Sequence, residues 1–253
     1  MNDNWEQSRE DGVESWQETP YVSRFTAEMT QGLEAQDLTS LVATKSFAVV
    51  FVGLIITTIA SYLTLSSVEF LYNLLSGGAF AFLLLAEVVI VLINGWAIRK
   101  SNLVLAGIMY LLYTISNGIT MSVVFLAYDL GSVKEAFLLT AIIFGVMAAF
   151  GYFTKKDLST VGSICGMGLI GVLLVSLLNT FFIHSSGMDL IMDYVVVLLF
   201  VGITAFDMYR MKQMAYEGGE DEANRIALYT GMQLYLDFIN IFLRLIRIMG
   251  RRK

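Results

Sequence analysis

Long runs of apolar residues separated by short polar segments dominate the chain after about residue 45. A helix needs about 20 mostly apolar residues to cross the hydrocarbon core of a bilayer. Seven runs approach or exceed that length, at about Ser46–Ser66, Gly78–Ile98, Leu103–Tyr128, Ala136–Phe153, Val161–Ile183, Met188–Met208 and Ile226–Met249. No run alternates apolar and polar residues as the strands of a membrane barrel do. The pattern predicts an all-α, polytopic membrane protein with seven transmembrane helices.

Composition agrees with this interpretation. The 253 residues are 57% hydrophobic and 15% charged, whereas soluble domains are roughly 25% charged. Because the loops between the runs are too short for a soluble catalytic domain, we assign no catalytic residues and expect no enzyme. The net charge of -6 argues against nucleic acid as a partner.

The first 44 residues differ from the rest, since acidic residues outnumber basic ones and apolar runs are missing. Such a segment buries too little apolar surface to order itself. We therefore expect residues 1–44 to be an acidic, disordered cytoplasmic tail with a short surface helix near residues 21–33. Residues 45–253 form the transmembrane domain.

Basic residues cluster in alternate loops, which predicts the orientation in the membrane. They are Arg99, Lys100, Lys155, Lys156, Arg210, Lys212 and Arg225, whereas the intervening loops carry only Lys134. By the positive-inside rule, the basic loops and the N-terminus face the cytoplasm. The seventh run could cross the membrane fully or re-enter on the same side, and its length favours a full crossing.

Two aspartates, Asp207 and Asp237, lie inside the last two apolar runs. A carboxylate in hydrocarbon costs roughly 2.5 to 3.5 kcal/mol even on lenient insertion scales, so such residues normally face protein, water or a partner charge. Two carboxylates brought together in a dry setting cannot both ionise cheaply and should share a proton. The pair is therefore a candidate pH sensor.

The last run carries a polar stripe, because its polar residues recur at spacings of three and four. They are Thr230, Gln233, Asp237, Asn240, Arg244, Arg247 and Arg251. Two kinds of helix carry such a polar face. One lies inside a bundle and lines a cavity, and the other is an amphipathic helix that lies on the membrane surface. Asp237 and Asn240 at the centre of an apolar run favour the bundle interior, with Asn240 lining a pore.

Four further charged residues lie in or next to the apolar runs. Glu87, in the second run, either lines a cavity or is a protonated acid hydrogen-bonded within the bundle. Arg99 and Lys100 are either anchors at the membrane surface or partners of Asp207 in an ion pair. Asp193 precedes Asp207 by 14 residues, about 21 Å along a helix, and we expect it to be solvated at the outer surface.

Three stretches resemble the Bax inhibitor family of transmembrane proteins, also called the transmembrane Bax inhibitor motif family. They begin at Phe150 (FGYFTKKDLS), Gly202 (GITAFDMYRMK) and Leu234 (LYLDFINIFL), and the similarity runs from about Lys45 to the C-terminus. The resemblance implies six helices around a central seventh. It also implies a pH-sensitive calcium leak channel that binds no cofactor and has calcium as its permeant ion.

The resemblance also implies roles for individual residues. Asp207 and Asp237 match the pH-sensing dyad, Glu87 resembles a pore-lining acid, and Arg99 resembles an arginine that latches the first aspartate. Lys100 could take the role of Arg99 within one residue of register. The three acids would be transient calcium ligands during ion transport.

Family relatives also imply a location and an alternative function. Eukaryotic members suppress cell death from the endoplasmic reticulum membrane, and bacterial members lie in the cell membrane, where some modulate a membrane protease. The compact loops favour a bacterial, multi-pass cell membrane protein whose partners are lipid, calcium and protons. The alternative is a non-conducting regulator that binds a membrane protease or a cell-death or stress partner.

Paired membrane aspartates also occur in intramembrane aspartyl proteases. Those enzymes carry Gly-x-Gly-Asp and a later Pro-Ala-Leu motif. Here Leu-Tyr-Leu precedes Asp237, and no proline follows Pro20, so the sequence does not favour a protease.

Overall fold

The computed structural model describes residues 20–76, 78–100 and 102–250, without the side chains of residues 20–23, 25–28, 30–32 and 99. The fold is all-α. Its helices are α1 Pro20–Leu65, α2 Val68–Ser76, α3 Ala79–Arg99, α4 Leu103–Ala127, α5 Leu130–Phe153, α6 Ser159–Leu178 and α7 Ser186–Met249. A π-helical turn, Asn179–Ile183, extends α6. Six of these helices are long and apolar enough to cross a membrane.

The seven predicted apolar runs fall on these helices, so the prediction of a polytopic helical membrane protein is confirmed. The sixth and seventh runs lie within the single element α7, because the predicted loop between them is helical on both sides of Gly219. The short helix α2 follows the first run and was not predicted.

Gly219 divides α7 into an antiparallel hairpin. Its φ of 66° and ψ of -171° lie in a region that is essentially restricted to glycine. We call residues 186–218 α7a and residues 220–249 α7b. Arg210 of α7a bonds to Tyr229 of α7b, and Asp193 bonds to Arg244 much farther from the turn. The two arms therefore run side by side from the turn to the start of α7a.

The hairpin is long enough for α7b to cross a membrane fully. Asp193 and Arg210 are 17 residues apart on α7a, which is about 26 Å at the helical rise. The hydrocarbon core is about 30 Å thick. This geometry agrees with the full crossing that the length of the seventh run favoured.

The α7b arm lies at the centre of the bundle. Tyr235 is fully buried and packs edge to face against Tyr110 and Tyr113 of α4. Phe238 packs likewise against Phe137 and Phe144 of α5. Helix α6, in contrast, has no buried residue between Ser159 and Leu178. The central position of the last helix, implied by the family resemblance, is thus present.

Small residues allow close contact between α6 and α7a. A Cβ atom on Gly202 of α7a would meet the Cys165 sulfur of α6 at 2.7 Å, and one on Gly162 would meet the Phe206 ring at 2.5 Å. Membrane helices commonly associate in this way, because small side chains bring backbones together.

Helix α1 extends well beyond the first apolar run. It begins at Pro20 and continues without a break through residue 44, so the boundary drawn at Lys45 is not a structural boundary. Val42 and Ala43 are buried in the same core as Met211 and Ala223 of the hairpin, and this burial orders a segment for which we expected disorder. Residues 1–19 of the predicted tail lie outside the described residues.

The bundle has two distinct ends. At the end near Gly219, which we call the turn end, the Lys45 Nζ atom donates to Asn224 at 2.8 Å. Lys212 donates there to the carbonyl oxygens of Tyr152 and Thr154, at 2.8 and 2.7 Å. The basic loop after α5 therefore lies at the turn end. The end of α3 lies there too, because Ile98 lines the same cleft as Gly218 next to the hairpin turn. The opposite end, near Asp193, is the far end.

We expect Gly151→Ala to destabilise the bundle by about 1 to 3 kcal/mol, the usual cost of overpacking. A Cβ atom at Gly151 of α5 would lie 2.1 Å from the Ala205 carbonyl oxygen, part of a backbone that cannot move aside locally. Thermal unfolding of the purified protein in detergent measures the effect.

The matched control is Gly145→Ala on the same helix, where an added Cβ meets nothing within 4 Å. That variant should keep or slightly raise the unfolding temperature, because alanine favours the helix over glycine. Equal unfolding temperatures for the two variants would contradict the proposed close packing of α5 on α7a.

Candidate functional site

The hairpin brings Asp207 and Asp237 together, one from each arm. Asp207 is 7% exposed and Asp237 is 3% exposed, and the two carboxylates interact electrostatically. The Thr204 side chain, one turn before Asp207, lies near Asp237, and its hydroxyl donates to the Phe200 carbonyl oxygen at 2.8 Å. The Oδ2 atom of each aspartate has no hydrogen-bond partner among the described residues. A buried polar atom in that state costs about 1 to 3 kcal/mol, so the pair is suited to bind a proton or a passing cation.

Arg210 is a cation close to this pair. It follows Asp207 by three residues, which places it one turn farther along the same helix face, and its charge acts on Asp207. The Arg210 Nη1 atom donates to the Tyr229 hydroxyl at 3.1 Å, and the guanidinium lies 5.5 Å from the centre of that ring. In the sequence, Arg210 was interpreted only as a basic loop residue, although its spacing of three residues from Asp207 could have indicated this contact.

A cleft of about 660 Å³ opens at the turn end between α3 and the hairpin. Its hairpin wall carries Arg210, Glu217, Glu222 and Arg225, and Gln233 lies deeper in α7b. Gln233 precedes Asp237 by four residues, about one helical turn. Two residues that line the cleft, Arg210 and Gln233, therefore lie about one helical turn from Asp207 and Asp237, respectively.

Glu87 lies in a different polar cluster, between α3 and α4. The Thr120 hydroxyl donates to its Oε1 atom at 2.6 Å, and the Asn117 side chain is also within hydrogen-bonding range. The Tyr235 hydroxyl donates to Asn117 Oδ1 at 3.2 Å and lies 2.5 Å from the Thr57 hydroxyl. The cluster joins α1, α3, α4 and α7b, and it corresponds to the hydrogen-bonded alternative for Glu87.

The other predicted site residues lie apart from the dyad. No three His, Cys, Asp or Glu side chains converge on a metal-binding position within the described part of the chain, so Glu87 and the two aspartates do not form one calcium site here. Asn240 is half-buried and donates to the Leu236 carbonyl of its own helix at 2.8 Å. Helix α3 ends at Arg99, whose side chain lies outside the described set, and Lys100 is exposed.

The expectation that Asp193 is solvated was wrong. Asp193 is 3% exposed, and its two carboxylate oxygens pair with Arg244 at 2.8 Å and with Arg247 at 3.2 Å. The physical reason is the return of α7b along α7a, which brings the last arginines of the stripe to the start of the hairpin. A signal existed, because 14 residues make nearly four helical turns and so place Asp193 and Asp207 on one face.

Comparisons with known proteins agree with this architecture. The family model described as inhibitor of apoptosis-promoting Bax1 matches residues 39–253. The inner membrane protein YbhL of Escherichia coli K12 is 34% identical over 206 residues, covering 80% of this chain and 88% of YbhL. A Rickettsia prowazekii protein is 33% identical over 211 residues, which cover 83% of this chain and 89% of the Rickettsia protein. This chain belongs to the Bax inhibitor family.

Two of the stretches that resemble the Bax inhibitor family contact each other. Lys212 of the second stretch bonds to the backbone of the first, as described above, and the Tyr209 hydroxyl donates to Asp157 Oδ1 at 3.2 Å. Asp157 lies two residues before the start of α6. Hydrogen bonds from Ser159, the first residue of α6, hold the pKa of Asp157 below its ordinary value and so favour the ionised carboxylate. These contacts hold the loop between α5 and α6 against α7a, within one turn of Asp207.

We expect Tyr235→Phe to lower the unfolding free energy of this Bax inhibitor family protein by about 0.5 to 2 kcal/mol, the range for hydrogen bonds inside membrane proteins. The change removes one hydroxyl and leaves Thr57 and Asn117 without that partner. Unfolding in mixed micelles by a denaturing detergent measures it. The control is Tyr62→Phe, at a 70% exposed tyrosine of α1. If both variants unfold like the parent, the cluster contributes nothing measurable to stability.

Proposed function

We propose that this protein is a pH-sensitive calcium leak channel in which Asp207 and Asp237 sense protons. The observation that carries the proposal is the pair of buried carboxylates, one from each arm of α7. The pair lies about one helical turn from Arg210 and Gln233, which line the cleft at the turn end. The chain belongs to the Bax inhibitor family, and the resemblance to that family implied a calcium leak. Family membership therefore supports the proposal. Calcium is the transported ion, and Glu87 and Asn240 contribute polar groups elsewhere along the bundle.

Protonation changes the forces between the two arms. When both carboxylates are ionised they repel one another and attract nearby cations. Among the residues that the structure describes, Arg210 on the same arm is a cation whose charge acts on Asp207. The family resemblance implies a second cation, Arg99 at the end of α3. A proton on Asp207 weakens its attraction to these cations. We therefore expect the closure at the turn end to loosen, and the leak to rise, as the pH falls.

The same reasoning gives an orientation and a location. The basic loops share the turn end of the bundle, so the positive-inside rule places that end, and the N-terminus, in the cytoplasm. We propose a multi-pass protein of the cell membrane, as YbhL is an inner membrane protein. The cleft then opens to the cytoplasm and the far end faces outward.

We expect Asp207→Asn and Asp237→Asn each to flatten the pH dependence of calcium flux between about pH 6 and 8, a range that buried paired carboxyls can reach. Each change removes one of the two groups that share the proton while keeping side-chain volume. The measurement is calcium flux into liposomes that contain only this protein and a trapped calcium dye, across a pH series.

Asp221→Asn, at an exposed aspartate of α7b, serves as the matched control and should keep the pH dependence of the parent. Unchanged pH profiles in both dyad variants would remove the dyad from the mechanism. A parent protein without any calcium flux would instead favour the non-conducting regulator.

We expect Arg99→Gln to raise the resting leak at pH 8, because Asp207 would lose the cation that the family resemblance assigns to it. Lys100→Gln and Arg210→Gln, measured in the same liposomes, identify the residue responsible. A rise confined to Lys100→Gln moves the latch by one position, and a rise confined to Arg210→Gln moves it onto α7a. If none of the three variants leaks more than the parent, the latch hypothesis is refuted.

A further inference from the structure

The polar stripe of α7b faces α7a between Asp237 and Arg247. Asp237, Asn240, Arg244 and Arg247 follow one another at spacings of three, four and three residues, so they share one helix face. Contacts at both ends of this set fix the direction of the face, since Asp237 interacts with Asp207 and Arg244 bonds to Asp193. A continuous line of polar groups thus connects the dyad to the far end.

The two ends of this polar line are built differently. At the turn end, a cleft of about 660 Å³ is lined by Arg210 and Gln233, each about one helical turn from one aspartate of the dyad. Each aspartate keeps a carboxylate oxygen without a hydrogen-bond partner in the described part of the chain. At the far end, both oxygens of Asp193 are paired with arginines. The dyad at one end of the polar line therefore keeps unpaired carboxylate oxygens, whereas the carboxylate at the far end is paired with arginines.

At the far end, Arg244 and Arg247 cover the buried carboxylate of Asp193. The side chain of Asp193 is 4% exposed, whereas those of Arg244 and Arg247 are 29% and 41% exposed. The arginines therefore reach the surface of the bundle, whereas the aspartate lies buried beneath them. Because removing one partner of a buried ion pair leaves an uncompensated charge, such a pair strongly resists separation.

We propose that Asp193, Arg244 and Arg247, which we call the far-end clamp, form a second closure of the ion path, separate from the dyad. This inference rests on the proposed function, because it assumes that cations move along the α7 hairpin. Asp193 lies 14 residues from Asp207, about 21 Å along α7a, so the two closures act at different depths. Opening the far end requires the last turns of α7b to separate from the first turns of α7a.

The first test breaks the clamp from either side. Asp193→Asn and the double variant Arg244→Gln/Arg247→Gln should both raise calcium flux in liposomes at least several-fold, because each removes the charge pairing that holds the arms together. If Asp193→Asn lowers the flux while the arginine double variant raises it, the cluster acts only through the charge at the mouth, and the clamp is refuted. Flux equal to that of the parent in both variants also refutes it.

The second test restores the closure chemically. Asp193→Cys and Arg244→Cys are combined with Cys165→Ser, which removes the native thiol, and a short bifunctional methanethiosulfonate joins the two new thiols. We expect high flux before cross-linking, flux at or below the parental level after it, and recovery when a reductant reopens the bridge. Flux that persists across the bridged far end overturns the proposal. The single Asp193→Cys variant, which cannot be bridged, controls for the reagent.

A third measurement does not depend on calcium flux. In the Cys165→Ser background, Asn240→Cys places a thiol on the polar stripe between the dyad and the clamp. A membrane-impermeant thiol reagent applied from the far side should label it several-fold faster when Arg244→Gln and Arg247→Gln are also present. Equal labelling rates refute the clamp even if the parent conducts. Faster labelling in a parent that conducts no calcium supports the clamp while the proposed channel function fails.

Discussion

The fold depends on the antiparallel return of α7b along α7a. A membrane interior offers no water to satisfy a polar side chain, and the central helix carries a full stripe of polar residues. The hairpin solves this problem because the polar face of one arm meets the polar face of the other. Gly219 allows the reversal, since its backbone conformation is closed to residues with a side chain. Without this pairing, Asp207, Asp237 and Asp193 would each face hydrocarbon or apolar neighbours.

Packing around the hairpin keeps the two arms in register. Helices α4 and α5 contact α7b through aromatic rings around Tyr235 and Phe238, which provide bulk without charge. Helices α5 and α6 approach α7a through glycines, where backbones come close. Lys212 and Tyr209 then attach the loop between α5 and α6 to α7a. A shift of one arm relative to the other would disturb these contacts together, so they hold the two arms in register.

The polar groups of the bundle fall into three sets with different chemistry. The dyad is buried and incompletely bonded, the Glu87 cluster is hydrogen-bonded to neutral side chains, and Asp193 is paired with two arginines. Incomplete bonding suits a group that must exchange protons or ions, because little has to be broken for exchange to occur. Full pairing suits a closure, because separation exposes charge to a dry environment. This contrast distinguishes the functional proposals for the two ends of the hairpin.

Much of the fold and part of the site could be predicted from the sequence, because apolar run length and spacing are local properties. The runs predicted the membrane helices, the stripe predicted that the last helix is interior, and the rarity of acids in hydrocarbon identified Asp207 and Asp237. Only the tertiary structure decided which polar groups meet. The burial of Asp193 beneath two arginines, the approach of Arg210 to the dyad and the separation of Glu87 from it depend on how α7b returns along α7a and on which helices flank it. Those contacts join residues far apart in the chain, and local spacing carries no information about the register in which two distant helices pack.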